Sequence, residues 1–330
     1  MMTHNVPGTL EFLLVGPPKS TIVNGLTKFT LHRLADAPDR AALIKDVGPR
    51  IRAIASSVTS ERIGRDLMAQ LPRLEIVATF GVGYDHIDVA WAAEHGVTVT
   101  NTPQVLTEEV ADTALGLLLC TVREFPQAER YLRAGKWVQR AYHLTRATLR
   151  DRTVGMVGMG AIGQAIARRL DAMTVPVVYH SRRPAAGVGY RHYPRLLDMA
   201  RDVNTLLLIT PGGAETRNLV NAEVLAALGP EGILINMARG SVVDEQALIR
   251  ALKDKTIMSA GLDVYVNEPE VPAELITMDN VVLFPHVGSA SVHTRGRMDQ
   301  LVVDNLVAWA AGKPVLTPVP ETPWPPPRRT

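Results

Sequence analysis

The chain has 330 residues, 46% of them hydrophobic, which is enough for two globular cores. Its 35 basic and 33 acidic residues leave a formal net charge of +2, a near balance that argues against nucleic acid as the main partner. The single cysteine, Cys120, excludes an intrachain disulfide and is expected to be buried and inert. No apolar stretch is long enough to span a bilayer, and the first residues lack the basic segment of a secretory signal, so we expect a cytoplasmic protein without a membrane partner.

The first part of the chain, up to residue 103, alternates apolar strands with helical segments. Strands are predicted at 11–16, 51–56, 74–80 and 97–100, and helices at 61–71 and 89–95. Strands that alternate with helices predict a doubly wound parallel sheet.

A second lobe is predicted from residue 104 to residue 288, beginning with a helix that starts near Thr107. Its strands are predicted near 153–158, 176–180, 205–210, 232–236, 257–263 and 281–285. A helix at 291–312 should then return the chain to the first lobe. The predicted fold class is therefore α/β, with two doubly wound parallel-sheet lobes and the second inserted into the first.

A glycine pattern follows the first strand of the second lobe and opens a helix. In this context glycines allow a tight turn, close approach of the backbone to a pyrophosphate and close packing of the helix on the strand. The helix N-terminus adds free N–H groups for phosphate. The residues expected to bind the dinucleotide are Gly158, Met159, Gly160, Ala161, Ile162 and Gly163. A plain structural turn is the alternative, because glycine-rich turns also occur by chance.

A basic turn, formed by Ser181, Arg182 and Arg183, follows the next predicted strand. Domains that prefer NAD usually offer an acid here to the ribose hydroxyls. A carboxylate would repel a 2′-phosphate, whereas the planar guanidinium of arginine matches phosphate oxygens. We therefore predict that NADPH (NADP) is preferred, with NADH as the alternative cofactor. A solvated basic turn is the alternative interpretation.

Arg239, Glu268 and His286 follow three successive predicted strands of the second lobe. Ligands bind at the carboxyl ends of strands in open α/β sheets, so the three side chains should lie at one edge. Arginine can bind a carboxylate and polarise the neighbouring carbonyl. Histidine can protonate the alkoxide that hydride addition leaves, and a nearby carboxylate would stabilise its imidazolium. Each residue alone could be structural, but together they predict reduction of a 2-oxo acid.

Several motifs in this order resemble the D-isomer-specific 2-hydroxyacid dehydrogenases, and within them the glyoxylate/hydroxypyruvate and hydroxyphenylpyruvate reductases. The motifs are ATFGVGYDHID (78–88), VTNTPQVLTEEVAD (99–112), GMGAIG (158–163), NMARGSVVDEQAL (236–248), GLDVYVNEPE (261–270) and FPHVGS (284–289). The resemblance runs from about residue 50 to about residue 310. It implies that Arg239 binds substrate, that Glu268 pairs with His286, and that His286 is the acid/base. It also implies that Val82 and Gly83 hold the substrate carboxylate.

The resemblance further implies a Rossmann NAD(P)-binding domain at 104–288, inserted into a flavodoxin-like substrate domain formed by 1–103 and 289–330. It implies that Asp263 contacts the nicotinamide side of the cofactor. The other cofactor contacts expected outside the two turns are Thr107, Thr210, Pro211, Thr216, Met237, Ala238, Arg239, His286 and Gly288. No metal site is expected, because no cluster of His and Cys has the spacing of metal ligands.

Two further segments carry expectations. The resemblance implies a homodimer through residues 123–151, in which Trp137 and Tyr142 either reach the neighbour's pocket or simply pack in the interface. Residues 314–330 are proline-rich and are expected to be extended or disordered.

The adopted interpretation is NADPH-dependent reduction of a small 2-oxo acid, of the glyoxylate or hydroxypyruvate type, to the D-2-hydroxy acid. Within the same family, an aryl-pyruvate or 2-ketogluconate reductase is an alternative. Outside it, a nucleotide-sensing, corepressor-like binding protein and an adenosyl-ligand hydrolase share the fold class. Fold alone does not separate these functions.

Overall fold

The computed structural model describes residues 9–325. The expectations for residues 1–8 and 326–330 lie outside the described residues. The described chain forms two compact units, one within Met1–Leu106 and Ser291–Thr330 and the other comprising Thr107–Ala290. No helix in residues 9–325 is both long and apolar enough to cross a membrane.

The first unit is built on a five-stranded sheet whose pairings are all parallel. Its strands are β1 (Glu11–Val15), β2 (Thr30–Arg33), β3 (Ile51–Ser56), β4 (Ile76–Thr79) and β5 (Thr98–Thr100). The spatial order β2-β1-β3-β4-β5 is that of the flavodoxin-like folds. The central strands are buried on both faces, which explains why they appear in the sequence as continuous apolar runs.

Short helices connect these strands. They are α1 (Ser20–Gly25), α2 (Arg40–Val47), α3 (Arg65–Met68) and α4 (Val89–Glu94). Asp39 and Asp88 cap α2 and α4 by accepting backbone N–H groups at 3.0 and 3.1 Å. The predicted helix at 61–71 is wrong over most of its length. The backbone N–H of Ile63 donates to His86, and this bridge keeps the chain extended up to Gly64.

The second unit contains a seven-stranded parallel sheet. Its strands are β6 (Val154–Val157), β7 (Val177–His180), β8 (Arg191–Tyr193), β9 (Thr205–Leu208), β10 (Ile233–Asn236), β11 (Ser259–Leu262) and β12 (Val281–Leu283). The order β12-β11-β10-β9-β6-β7-β8 is the Rossmann order with one additional strand at the end. From β6 the chain builds outward through β7 and β8 on one side, and it then returns to add β9 on the other side of β6. The strand order therefore reverses at β6.

The second unit also contains helices. They are α5 (Thr107–Arg123), α6 (Phe125–Arg133), α7 (Ala161–Ala172), α8 (Leu196–Asp202), α9 (Ala222–Leu228), α10 (Glu245–Lys253) and α11 (Ala273–Thr277). Helix α5 lies so close to β11 that a Cβ at Gly261 would meet the Thr121 hydroxyl at 2.4 Å. Cys120 on α5 is half-buried rather than buried, and burial raises the pKa of its thiol. The predicted α/β class with two doubly wound parallel sheets is confirmed.

The last helix, α12 (Val292–Ala310), belongs to the first unit and packs Leu306 and Trp309 against Phe12 of β1. The proline-rich segment that follows is ordered as far as it is described. Its Val319 donates to Val99 at 2.9 Å, and Val99 in turn donates to the Thr322 hydroxyl at 2.8 Å. Disorder was therefore the wrong expectation for 314–325, because the free edge of β5 supplies hydrogen-bond partners.

Two loops of the second unit touch backbone to backbone. Gly240 follows β10, and a Cβ at this position would lie 1.9 Å from the carbonyl carbon of Tyr265 and 2.1 Å from its oxygen. No flexible side chain is available to move aside. The contact therefore fixes the loop carrying Arg239 against the loop carrying Glu268.

We expect Gly240→Ala to lower the free energy of unfolding by about 1–3 kcal/mol, the usual range for overpacking, or by more, because backbone must move. Gly116→Ala on α5 is the matched control, since a Cβ there meets nothing within 4 Å. That change should raise stability by up to about 1 kcal/mol through helix propensity. Denaturant unfolding of both variants measures the difference, and equal stability of the two would contradict the close contact.

Candidate active site

The three glycines of the predicted phosphate turn have three separate structural roles. Gly158, just after β6, has φ +106°, and a Cβ there would lie 2.9 Å from the carbonyl oxygen of Ile209. Gly160 precedes α7, and a Cβ there meets no atom within 4 Å. Gly163 packs against the turn itself, because a Cβ added there would lie 2.6 Å from the carbonyl oxygen of Gly158. The turn thus leaves open backbone at the start of α7, as a pyrophosphate site requires.

The other predicted residues of the second unit also follow its strands. Ser181 follows β7, Thr210 and Pro211 follow β9, Arg239 follows β10, Asp263 follows β11, and His286 follows β12. In a parallel sheet all these positions lie at the carboxyl edge. Thr107 is the first residue of α5, and Thr216 donates to Pro211 at 2.8 Å within the loop after β9.

Glu268 and His286 form a hydrogen-bonded pair. Nδ1 of His286 lies 2.6 Å from Oε2 of Glu268, and the other carboxylate oxygen accepts the backbone N–H of Tyr265 at 3.0 Å. Burial would raise the pKa of the Glu268 carboxyl, but the hydrogen bond and charge of His286, the Tyr265 N–H and the charge of Arg239 outweigh it, so the pKa lies below its usual value. An ionised carboxylate only accepts, so Nδ1 carries a proton in this pair.

His286 itself has a φ of +53°, a left-handed conformation that costs a non-glycine residue roughly 1–3 kcal/mol. Asp263 holds it there. The His286 N–H donates to the Asp263 carbonyl at 2.9 Å. The N–H groups of Val287 and Gly288 donate to the two carboxylate oxygens at 2.7 and 2.9 Å. Asp263 is only 2% exposed, and burial raises the pKa of its carboxyl although the two N–H groups oppose that shift.

Arg239 is held by a turn that the sequence pattern did not indicate. The buried Asn236 donates to the carbonyl of Arg239 at 3.0 Å and accepts the N–H of Ala238 at 3.0 Å. One guanidinium nitrogen of Arg239 donates to the Ala238 carbonyl at 2.8 Å. Met237 and Ala238, both expected at the cofactor, belong to this turn and are buried.

The basic turn after β7 has partners within the protein. The Ser181 hydroxyl donates to the Arg183 carbonyl at 2.6 Å. The exposed guanidinium of Arg182 donates to the carboxylate of Glu215, in the loop after β9. Glu215 was not among the predicted site residues, because no local sequence signal joins it to a turn 33 positions away.

Val82 and Gly83 lie in the first unit, in the loop after β4. Asn101 donates to the carbonyl of Val82 at 2.8 Å, and the N–H of Gly81 donates to the Thr102 hydroxyl at 3.0 Å. These bonds order the loop at the carboxyl edge of the first sheet. The expected role in binding the substrate carboxylate stays a prediction, as do the other individual cofactor and substrate contacts.

Comparisons with known proteins identify the family of this chain. The family model described as "D-isomer specific 2-hydroxyacid dehydrogenase, NAD binding domain" matches residues 115–288. Glyoxylate/hydroxypyruvate reductase A HPR2 of Arabidopsis thaliana is 44% identical over 94% of this chain and 99% of the relative. Hydroxyphenylpyruvate reductase of Plectranthus scutellarioides is 41% identical over 93% of this chain and 98% of the relative.

A solved structure is similar as well. It is the NADPH-dependent glyoxylate/hydroxypyruvate reductase of Sinorhizobium meliloti in complex with NADP and malonate. The two chains are 50% identical and superpose with a TM-score of 0.92, covering 98% of this chain and 100% of the other.

The Glu268–His286 pair predicts that the free energy of unfolding depends on pH. The pKa of Glu268 is lowered from 4.5 in the folded protein. Its ionisation therefore stabilises the fold above the unfolded pKa, and this contribution is lost as the pH falls through the folded pKa. We expect Glu268→Gln to be less stable than the wild type above about pH 5, with the gap closing at lower pH.

Denaturant unfolding at a series of pH values measures this gap. Glu274→Gln, at an exposed position on α11, controls for the removal of one negative charge. A gap of constant size from pH 7 down to about pH 3 would show that the carboxylate of Glu268 is not stabilised by its neighbours.

Proposed function

Because the chain belongs to the D-isomer-specific 2-hydroxyacid dehydrogenase family and is an NAD(P)-dependent 2-oxo acid reductase, we propose that it reduces a small 2-oxo acid with NADPH to the D-2-hydroxy acid. The proposed substrates are of the glyoxylate or hydroxypyruvate type. The observation that carries the chemistry is the 2.6 Å pair of Glu268 and His286 at the sheet edge to which Arg239 also belongs.

Each of the three residues has one task in this proposal. The guanidinium of Arg239 binds the carboxylate of the substrate and polarises the adjacent carbonyl. The nicotinamide, when bound, supplies the hydride to the carbonyl carbon. Nε2 of His286 gives its proton to the oxygen that becomes the alcohol, and the imidazolium becomes neutral imidazole. Glu268 stabilises the imidazolium before transfer and fixes the ring through Nδ1.

The glycine turn and the loops after β7 and β9 are the proposed dinucleotide site. The open backbone at Gly160 and the start of α7 fit a pyrophosphate, and the basic turn fits a 2′-phosphate. The S. meliloti relative, crystallised with NADP, supports this assignment.

The substrate is tested with a panel of 2-oxo acids, scored by kcat/KM with NADPH. Glyoxylate and hydroxypyruvate should give the highest values. A preference for 4-hydroxyphenylpyruvate would instead favour the aryl-pyruvate reductase, which the Plectranthus relative supports. Absence of turnover with every acid, with nucleotide binding retained, would favour a nucleotide-sensing protein.

We expect His286→Asn to lower kcat by roughly a hundredfold to ten-thousandfold, the scale of losing a general acid. Binding of NADPH should stay near that of the wild type, because asparagine can keep the backbone conformation of the loop. Steady-state kinetics and fluorescence titration measure the two effects. His95→Asn, at the end of α4, is the control. Wild-type kcat in the His286 variant would remove this residue from the mechanism.

The cofactor proposal predicts a selective defect. Replacement of both Arg182 and Arg183 by Ala should raise the KM for NADPH by about tenfold or more, since each charge-assisted bond to phosphate contributes about 1.5–3 kcal/mol. The KM for NADH should change little. Arg201→Ala, at an exposed position on α8, is the control. An equal loss for both cofactors would point to a damaged fold rather than a lost phosphate contact.

The arm at 123–151 is the proposed dimer contact. Its exposed apolar side chains support this proposal, since a monomer seldom exposes such a group. They are Phe125, Leu132, Trp137, Val138 and Leu144. Light scattering should give about twice the 35.9 kDa mass of the chain, and a monomer mass would contradict the proposal.

A further inference from the structure

The loop after β9 carries an acidic residue at its exposed tip. Gly213 has φ +127°, and Thr216 donates to the Pro211 carbonyl at 2.8 Å, which closes the loop into a tight turn. The single helical turn Ala214–Thr216 holds Glu215 on the outside, with 74% of its side chain exposed.

This carboxylate pairs with the basic turn after β7. Arg182 donates to Glu215 in a hydrogen-bonded ion pair. Strands β7 and β9 lie on the two sides of β6, and the glycine turn follows β6. The ion pair therefore joins the two loops that flank the glycine turn.

The backbone of the basic turn is fixed independently of this pair. The Ser181 hydroxyl donates to the Arg183 carbonyl, and the N–H of Ala185 donates to the Tyr179 hydroxyl at 3.0 Å. The ring of His192 lies 2.9 Å from the Ser181 carbonyl oxygen. Loss of Glu215 would therefore release the side chain of Arg182 without unfolding the turn.

We propose that Glu215 determines cofactor specificity: its carboxylate competes with the 2′-phosphate of NADPH for Arg182 and so limits the preference for NADPH over NADH. The inference rests on the proposed cofactor site at Ser181–Arg183. A phosphate monoester carries nearly two negative charges near pH 7 and is repelled by a carboxylate bound to the same guanidinium. NADH has a neutral hydroxyl at that position, so its binding leaves the ion pair undisturbed.

The exposure of the Arg182–Glu215 pair limits how much it weakens NADPH binding. Arg182 is 83% exposed, and an ion pair between exposed side chains is weak, so the 2′-phosphate can displace Glu215. Binding of NADPH must therefore break this ion pair, and it also brings the displaced carboxylate near the phosphate, which repels it. Salt screens that repulsion, because the Debye length falls from about 10 Å at 0.1 M to about 3 Å at 1 M.

The test is the variant Glu215→Gln, which keeps the size of the side chain and removes its charge. Fluorescence titration with NADPH and with NADH gives the Kd of each cofactor without turnover. We expect the Kd for NADPH to fall about three- to tenfold at low salt and the Kd for NADH to change less than about twofold. The gain for NADPH should shrink at about 1 M salt. Glu223→Gln, at an exposed position on α9, is the matched control.

The variant Arg182→Ala tests whether the effect of Glu215 depends on its ion pair with Arg182. In Arg182→Ala, the change Glu215→Gln should improve NADPH binding less than in the wild type, because no ion pair is left for the phosphate to break. Weaker NADPH binding in Glu215→Gln would overturn the proposal, because Glu215 would then be positioning Arg182 for the phosphate. An equal change for both cofactors, or no change, would overturn it as well.

The same titrations separate this inference from the proposed function. Wild-type protein that binds NADH as tightly as NADPH, with no effect of Arg182→Ala, would remove the phosphate site from the basic turn. Wild-type preference for NADPH that Arg182→Ala abolishes and Glu215→Gln leaves unchanged would overturn the role of Glu215 alone.

Discussion

The candidate active site depends on one buried carboxylate, that of Asp263. The loop after β12 must place His286 in a left-handed conformation, which its backbone does not favour. Three backbone N–H groups of that loop donate to Asp263, two of them to its carboxylate. If this anchor were lost, the backbone at His286 would leave this conformation, and the pairing with Glu268 would lose its geometry.

Asp263 and Glu268 lie five residues apart, yet their environments shift their pKa values in opposite directions. Burial raises the pKa of Asp263, whose carboxylate accepts the backbone N–H groups of Val287 and Gly288. Burial acts on Glu268 as well, but its hydrogen bond and charge interaction with His286, the Tyr265 N–H and the charge of Arg239 lower its pKa by more. One carboxylate is therefore suited to holding backbone and the other to stabilising an imidazolium. Gly240 fixes the relative positions of the two acids, because its backbone contacts Tyr265 in the segment between them.

Most strands and the family were predictable from the sequence because their signals are local. Continuous apolar runs marked the buried strands, and the ordered motifs identified the D-isomer-specific 2-hydroxyacid dehydrogenases. The edge strands β2 and β8 were missed, since TLHR and RHY are polar and only partly buried. The helix expected at 61–71 failed because a bridge from Ile63 to the loop before α4, formed far along the chain, overrode local helical spacing.

The proposed cofactor site also combines a local sequence signal with a contact between distant segments. The glycine turn could be predicted because its pattern lies within six residues: Gly158 has a φ of +106°, and an added Cβ at Gly163 would strike the carbonyl oxygen of Gly158. The charge around the basic turn could not be predicted in the same way. Arg182 and Glu215 meet only because β7 and β9 flank β6 in the folded sheet. A preference for a phosphate depends on every charge within a Debye length, including those supplied by other loops. In the proposed site, the basic residues after β7 attract the phosphate, and Glu215 of the neighbouring loop limits the strength of that preference.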